Sequence, residues 1–245
     1  MQEWLSRTSL LLGEQAVANL HDRHVLVVGV GGVGAYAAEM VARAGVGEMT
    51  IIDADTVAES NINRQLVALH STIGRPKVEI LADRLLDINP SLRLHAECQY
   101  LEADGVDALL DRNFDYVIDA IDTLAPKVAL LIACLRRKVK VISSMGAGAR
   151  LDPTAVAYAD IADTYHCGLA REVRRRLKAA GIRKGLKVVF STEQPSSTAV
   201  IPATGERNKR STVGTISYLP ALFGCYLAAH VIRKLTDNDS NKQHS

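Results

Sequence analysis

Short apolar runs and longer helical stripes alternate along most of the chain. The run HVLVV starting at His24 has the length of a buried strand, and after a glycine-rich turn AYAAEMVARAG has helical spacing. MTII supplies a second strand. Val78, Leu81, Ala82, Leu85 and Ile88 form an apolar helical stripe opened by Pro76, a residue the first turn tolerates. LRLHAEC alternates as a third strand, DGVDALL reads as a short helix, and FDYVIDAID as a buried fourth strand. A helix from Pro126 to about Lys138 then leads into the strand KVKVISS. This rhythm predicts an α/β fold: a doubly wound, mostly parallel sheet with helices on both faces.

The flanks read differently. Residues 4–20 suggest a short helix ahead of the first strand. Beyond MGAGARLDP the pattern changes to strand and loop (AVAYADIADT), amphipathic helix (GLAREVRRRLKAAG) and strand (KVVFSTEQP), a C-terminal elaboration. No second glycine loop appears, so residues 1–235 are expected to form one domain. The polar stretch 196–211 reads as a mobile loop over a site. The apolar segment 213–235 is long enough to span a bilayer. Pro220, Tyr218, Tyr226, His230 and several small residues favour instead a helix packed on the sheet or on a dimer mate. The final TDNDSNKQHS, 236–245, reads as a disordered tail.

Composition narrows the class. The 245 residues suffice for one large domain with a substantial core. Four cysteines, at 98, 134, 167 and 225, form no CxxC pair, which excludes a cysteine-rich zinc site and fits a reducing, cytoplasmic compartment. Glu3 and Arg7 interrupt any secretory ramp at the N-terminus. The net charge of +2 hides a concentration: residues 171–187 hold eight basic residues and one acid, so +7 lies there and −5 elsewhere.

Chemistry points first to the glycine turn. A strand, a Gly-rich turn and a helix N-terminus bind anions, because unpaired N–H groups and the positive dipole end face the ligand. Gly29 suits the tight turn, Gly31 and Gly32 admit phosphates close to the backbone, and Gly34 admits close helix–sheet packing. Asp53, nineteen residues past Gly34, stands where a carboxylate accepts from ribose hydroxyls. Arg64 and Lys77 lie beyond the second strand. An enzyme that displaces pyrophosphate uses such cations against charge building on the leaving group, whereas a nicotinamide-dependent oxidoreductase does not break that bond.

The run DADTVAESNINRQ followed by GRPK resembles the Rossmann-like adenylating enzymes of the ThiF/MoeB/HesA type, in the ubiquitin-activating-like superfamily. The resemblance implies ATP as substrate, with Gly32 at the phosphates, Asp53 and Asp55 in the nucleotide pocket, and Asn61, Asn63, Arg64 and Lys77 around the triphosphate. DAIDT, 119–123, resembles the family's DxxDN, which implies Asp122 as a Mg²⁺ ligand, with Thr123 in place of the usual Asn. Arg7 has two readings: a solvated surface cation, or, by resemblance, a guanidinium reaching the ATP of the partner subunit in a homodimer.

Within that family SMGAGARLDP, DIADTYHCGLAREVRRRLK and VVFSTEQP are similar to the tRNA threonylcarbamoyladenosine dehydratase group. The implied reaction is ATP-dependent dehydration of threonylcarbamoyladenosine at position 37 of tRNA to its cyclic form. The alternative is an activator of a sulfur-carrier or ubiquitin-like protein, although the two CxxC pairs usual there are missing. Adenylation makes the threonine carboxyl oxygen a leaving group, and the carbamoyl group closes the ring intramolecularly. Effective molarities of roughly 10⁵ M make a covalent enzyme intermediate unnecessary, so Cys167 is expected to be non-catalytic. A tRNA partner also accounts for the basic segment, with Arg171, Arg174, Arg175, Lys178, Arg183, Lys184 and Lys187 as candidate phosphate contacts. The competing reading is a solvated helix face. A monovalent cation and a sulfur-transfer partner stay open.

Overall fold

The computed structural model describes residues 2–202 and 211–236. The predicted mobile loop therefore lies partly, and the predicted tail almost wholly, outside the described residues. Seven strands form one sheet: β1 (His24–Val28), β2 (Glu48–Ile52), β3 (Arg93–Glu97), β4 (Tyr116–Asp119), β5 (Val141–Ser144), β6 (Val156–Asp160) and β7 (Lys187–Ser191), in the order β3-β2-β1-β4-β5-β7-β6. All neighbours run parallel except β6, which pairs antiparallel with β7. β6 and β7 are the C-terminal elaboration, and they extend the same sheet. A two-stranded ribbon, β8 (Val200–Pro202) with β9 (Ser211–Val213), stands apart from it.

Side chains of successive strand residues point to opposite faces, and β1 shows it: Val25 and Val27 enter one core, Leu26 and Val28 the other. Both faces are covered, which is why these strands read as continuous apolar runs. On the first face lie α2 (Glu14–His21), α3 (Gly34–Arg43), α4 (Lys77–Ile88) and α8 (Tyr218–Thr236); on the second, α5 (Val106–Leu110), α6 (Leu124–Arg136) and α7 (Gly168–Ala179). β3, at the sheet edge, is mostly exposed.

One expectation needs correction, and the packed-helix reading of the C-terminal apolar segment holds over its bilayer alternative. The helix expected over residues 4–20 is broken: α1 (Ser6–Leu12) ends at Gly13, whose φ of 89° starts a new direction for α2. The apolar segment near the C-terminus does not form a bilayer span, and no described helix is long and apolar enough to cross a membrane. α8 instead buries Leu219, Phe223, Leu227, Val231 and Leu235 in the first core. Its small residues have a packing reason: a Cβ on Gly224 would stand 2.4 Å from the Val33 carbonyl oxygen and 2.8 Å from Tyr36 Cβ, so α8 lies directly on α3.

Candidate nucleotide and substrate site

In this strand order the chain winds outward from β1 in both directions, so a crevice opens at the carboxyl ends of β1 and β4. The glycine turn follows β1, Asp53 follows β2, and Asp122 follows β4. Gly29, with φ of 85°, sits so close to the β4 loop that a Cβ would be 2.8 Å from the Ala120 carbonyl oxygen. Gly34 is tighter still, since its Cβ would fall 1.8 Å from the Gly29 carbonyl. The two glycines thus lock turn, helix and β4 loop together. Gly31 and Gly32 face the other way, toward the Gln65 side chain and toward Arg64 and Pro220.

Asp53 accepts the N–H of Val30 at 2.7 Å and of Asp55 at 2.8 Å, so it ties the glycine turn to the end of β2. Burial pushes its carboxyl above the ordinary value, opposed by Lys77 and by the two N–H donors. Lys77, in the first turn of α4, is almost fully buried, and its Nζ donates to Asp55 Oδ2 at 2.7 Å. A cation at a helix N-terminus opposes the dipole; here the Asp55 carboxylate pairs with it and the Asp53 charge lies close enough to be felt. Arg64 Nη1 donates to the Ser60 carbonyl and to Asn63 Oδ1, while its aliphatic stem passes the Gly32 position at 3.6 Å. Asn61 Oδ1 accepts the Ala58 N–H as a local cap, and Asn63 Nδ2 donates to the Thr215 carbonyl. These side chains therefore shape the loop that follows β2.

Asp122 and Thr123 occupy the loop between β4 and α6, with Asp122 exposed. That loop is anchored from beneath. Asp119, wholly buried, pairs with the wholly buried Lys127 at 2.7 Å and accepts from Ser143 Oγ at 2.6 Å and from the Ile121 N–H at 3.1 Å; Lys127 also donates to the Ile121 carbonyl at 3.0 Å. Lys127 escaped the sequence reading. Its only signal was one charge inside the apolar helix APKVALLIACL. Gln65 escaped as well: its Oε1 is buried without a partner among the described residues, against the glycine turn. A ligand hydroxyl or amino group in the crevice would satisfy it.

A second recess, of about 310 Å³, is lined by Tyr165, His166, Cys167, Gly168, Arg171, Arg174, Gln194 and Pro195. It adjoins the end of β5, because Cys167 Sγ lies 3.5 Å from the Cβ position of Gly146. The buried Arg150 builds its wall by donating to the carbonyls of Gly146, Gly148, His166 and Glu193. Cys167 Sγ accepts the Ala170 N–H, capping α7.

The basic segment is divided by the fold. α7 runs antiparallel to the strands and is about 18 Å long at 1.5 Å per residue. Arg171 therefore stands at the second recess, while Arg183, Lys184 and Lys187 are exposed toward the opposite end of β7. Arg174 Nη1 is spent on the Ile161 and Thr164 carbonyls and the Thr164 hydroxyl, and Arg175 pairs with Glu172 at 3.0 Å; Lys178 is exposed. Arg7 is exposed on α1.

The ThiF family matches residues 5–245. The tRNA threonylcarbamoyladenosine dehydratase of Bacillus subtilis is 38% identical over 242 residues, covering 96% of this chain and 95% of its own. That of Escherichia coli is 38% identical over 245 residues, covering 93% and 91%. The crystal structure of the E. coli enzyme in complex with ATP superposes with a TM-score of 0.88, at 34% identity, over 98% of this chain and 96% of that one.

Proposed function

The chain belongs to the ThiF family, and from that premise we infer that it performs ATP-dependent dehydration of threonylcarbamoyladenosine in tRNA to the cyclic form. The observation that carries this reading is near-full-length similarity to dehydratases of that name, joined to a crevice built for a nucleoside triphosphate. In support of ATP stand a glycine turn at a helix N-terminus, a carboxylate at the end of β2, and a buried lysine paired with Asp55 near that carboxylate. Attack of the threonine carboxylate on the α-phosphate expels pyrophosphate, and Lys77 and Arg64 offset the charge that builds on it. The carbamoyl group then attacks the activated acyl carbon, the ring closes, and AMP departs, so the net loss from the nucleoside is one water. Mg²⁺ fits Asp122, a single exposed hard-oxygen donor that leaves room for phosphate oxygens, and it would neutralise phosphate charge there. Asp119 and Lys127 hold that loop in place from below.

The recess beside Arg171 is where we place the modified nucleoside, since Tyr165 offers a half-exposed ring for stacking and Arg171 a phosphate contact. We assign a cytoplasmic homodimer. In support, α1 displays Leu10 at 88% and Leu11 at 83% exposure beside Arg7, an apolar surface suited to a second copy. The deciding experiment measures pyrophosphate release from ATP with tRNA carrying threonylcarbamoyladenosine, with unmodified tRNA, and with a sulfur-carrier protein. Release driven by the modified tRNA is expected; release driven only by the carrier protein would replace this reading with the alternative.

A further inference from the structure

At the pole opposite the nucleotide crevice, the parallel register brings three donor side chains together. His24 pairs with Glu48 across β1 and β2, Glu48 with Arg93 across β2 and β3, and His95 follows two residues on, facing the same side as Arg93. Glu48 Oε1 stands 3.6 Å from His24 Nδ1 and 3.0 Å from His95 Nε2, and all three donor atoms lie within 4.8 Å of one another. From this geometry we propose that His24, Glu48 and His95 form a zinc-binding site at the amino ends of β1, β2 and β3.

Zinc bonds of about 2.0–2.1 Å in tetrahedral geometry set donors roughly 3.3 Å apart. The two Glu48 distances bracket that value, and His95, 45% exposed, has room to swing inward for the remaining edge. Two imidazoles and one carboxylate suit zinc rather than magnesium, and leave the fourth position to water. The neighbouring groups already orient the donors. His24 Nε2 contacts Thr50 Oγ1 at 2.9 Å, and Arg112 Nη2 donates to the same hydroxyl, so Nδ1 is the nitrogen turned to the ion. Arg93 donates to Glu48 Oε2 at 3.1 and 3.3 Å, which leaves Oε1 for the metal. The Phe114 ring, 4.6 Å from that of His24, closes the inner side. Bound zinc would fasten the exposed edge strand β3 to the sheet centre, remote from the adenylating groups.

The test uses the untagged full-length chain stripped with a chelator. Calorimetric titration with Zn²⁺ is expected to show one equivalent bound and a raised Tm, and Co²⁺ the absorption bands of tetrahedral coordination. His95→Ala and Glu48→Gln should abolish these signals while ATP turnover persists, and Thr50→Val should weaken binding about 10–100-fold. Absence of saturable binding would overturn the proposal. So would binding that survives both substitutions, or binding removed instead by Cys98→Ser.

Discussion

Lys77 and Lys127 are both buried lysines, and their surroundings assign them different tasks. Lys77 borders the crevice and shares its charge with Asp55 and Asp53. Replacing it with Ala should lower turnover by about 10²–10³-fold, the usual loss for one transition-state charge contact, with little change in Tm. Steady-state kinetics beside a thermal melt separates the two effects. Lys127 is enclosed, and the side chain of its partner Asp119 is likewise fully buried. Lys127→Met should cost about 3–5 kcal/mol by leaving a buried carboxylate unpaired, and Asp119→Asn added to it should recover part of the loss. Urea denaturation of both variants checks this; equal stability of Lys127→Met and the parent would refute the buried pair. The glycine turn was legible because β1, the turn and α3 are contiguous, and Asp53, Arg64 and Lys77 were legible as candidates because each lies at or beyond the end of β2 in the same stretch of chain. Lys127 was not, since its burial depends on β5 supplying Ser143 and on α6 lying over β4.

At the scale of elements, α8 decides how firmly the nucleotide turn is held. Pro220 lies 3.1 Å from the Cβ position of Gly32, and Gly224 meets Val33 directly. Gly224→Ala should destabilise the protein by about 1–3 kcal/mol through overpacking against backbone that cannot yield. It should also raise KM for ATP; a melt and a KM both equal to the parent's would show that α8 does not back the turn. The same helix carries His230, whose Nε2 lies 3.1 Å from the Tyr116 hydroxyl. Burial lowers its pKa below 6.5, reinforced by Lys187, Lys234 and Arg233. The folded chain therefore keeps His230 neutral where the unfolded chain takes a proton. That contribution to stability is complete above pH 6.5 and declines as the pH falls below it. Melts from pH 7.5 to 5.5 should fall less steeply for His230→Gln than for the parent. Hydropathy alone left α8 open between bilayer and core, because an apolar segment with small residues suits either until a partner helix is known.

At the scale of the whole molecule, one cation that the family resemblance implies is not among the described residues gathered at the strand ends: Arg7 is exposed on α1, two residues from Leu5, which packs against Gly45 at the far end of α3. The proposed homodimer would reconcile the two if Arg7 completes the site of the partner subunit. Arg7→Ala and Asp122→Ala chains, each inactive alone, should regain activity when mixed, since one subunit pair then keeps an intact site. No rescue despite confirmed exchange of subunits would exclude action in trans.

The chain's own order of apolar runs, glycines and charges determined the α/β winding, the nucleotide turn and the adenylating motif, because each is written within a single supersecondary unit where spacing sets geometry. Tertiary structure alone decided the rest: the Asp119–Lys127 anchor, the division of the basic segment between two ends of α7, and the His24–Glu48–His95 cluster. Each joins residues distant in sequence, through strand register and helix packing that no local period encodes.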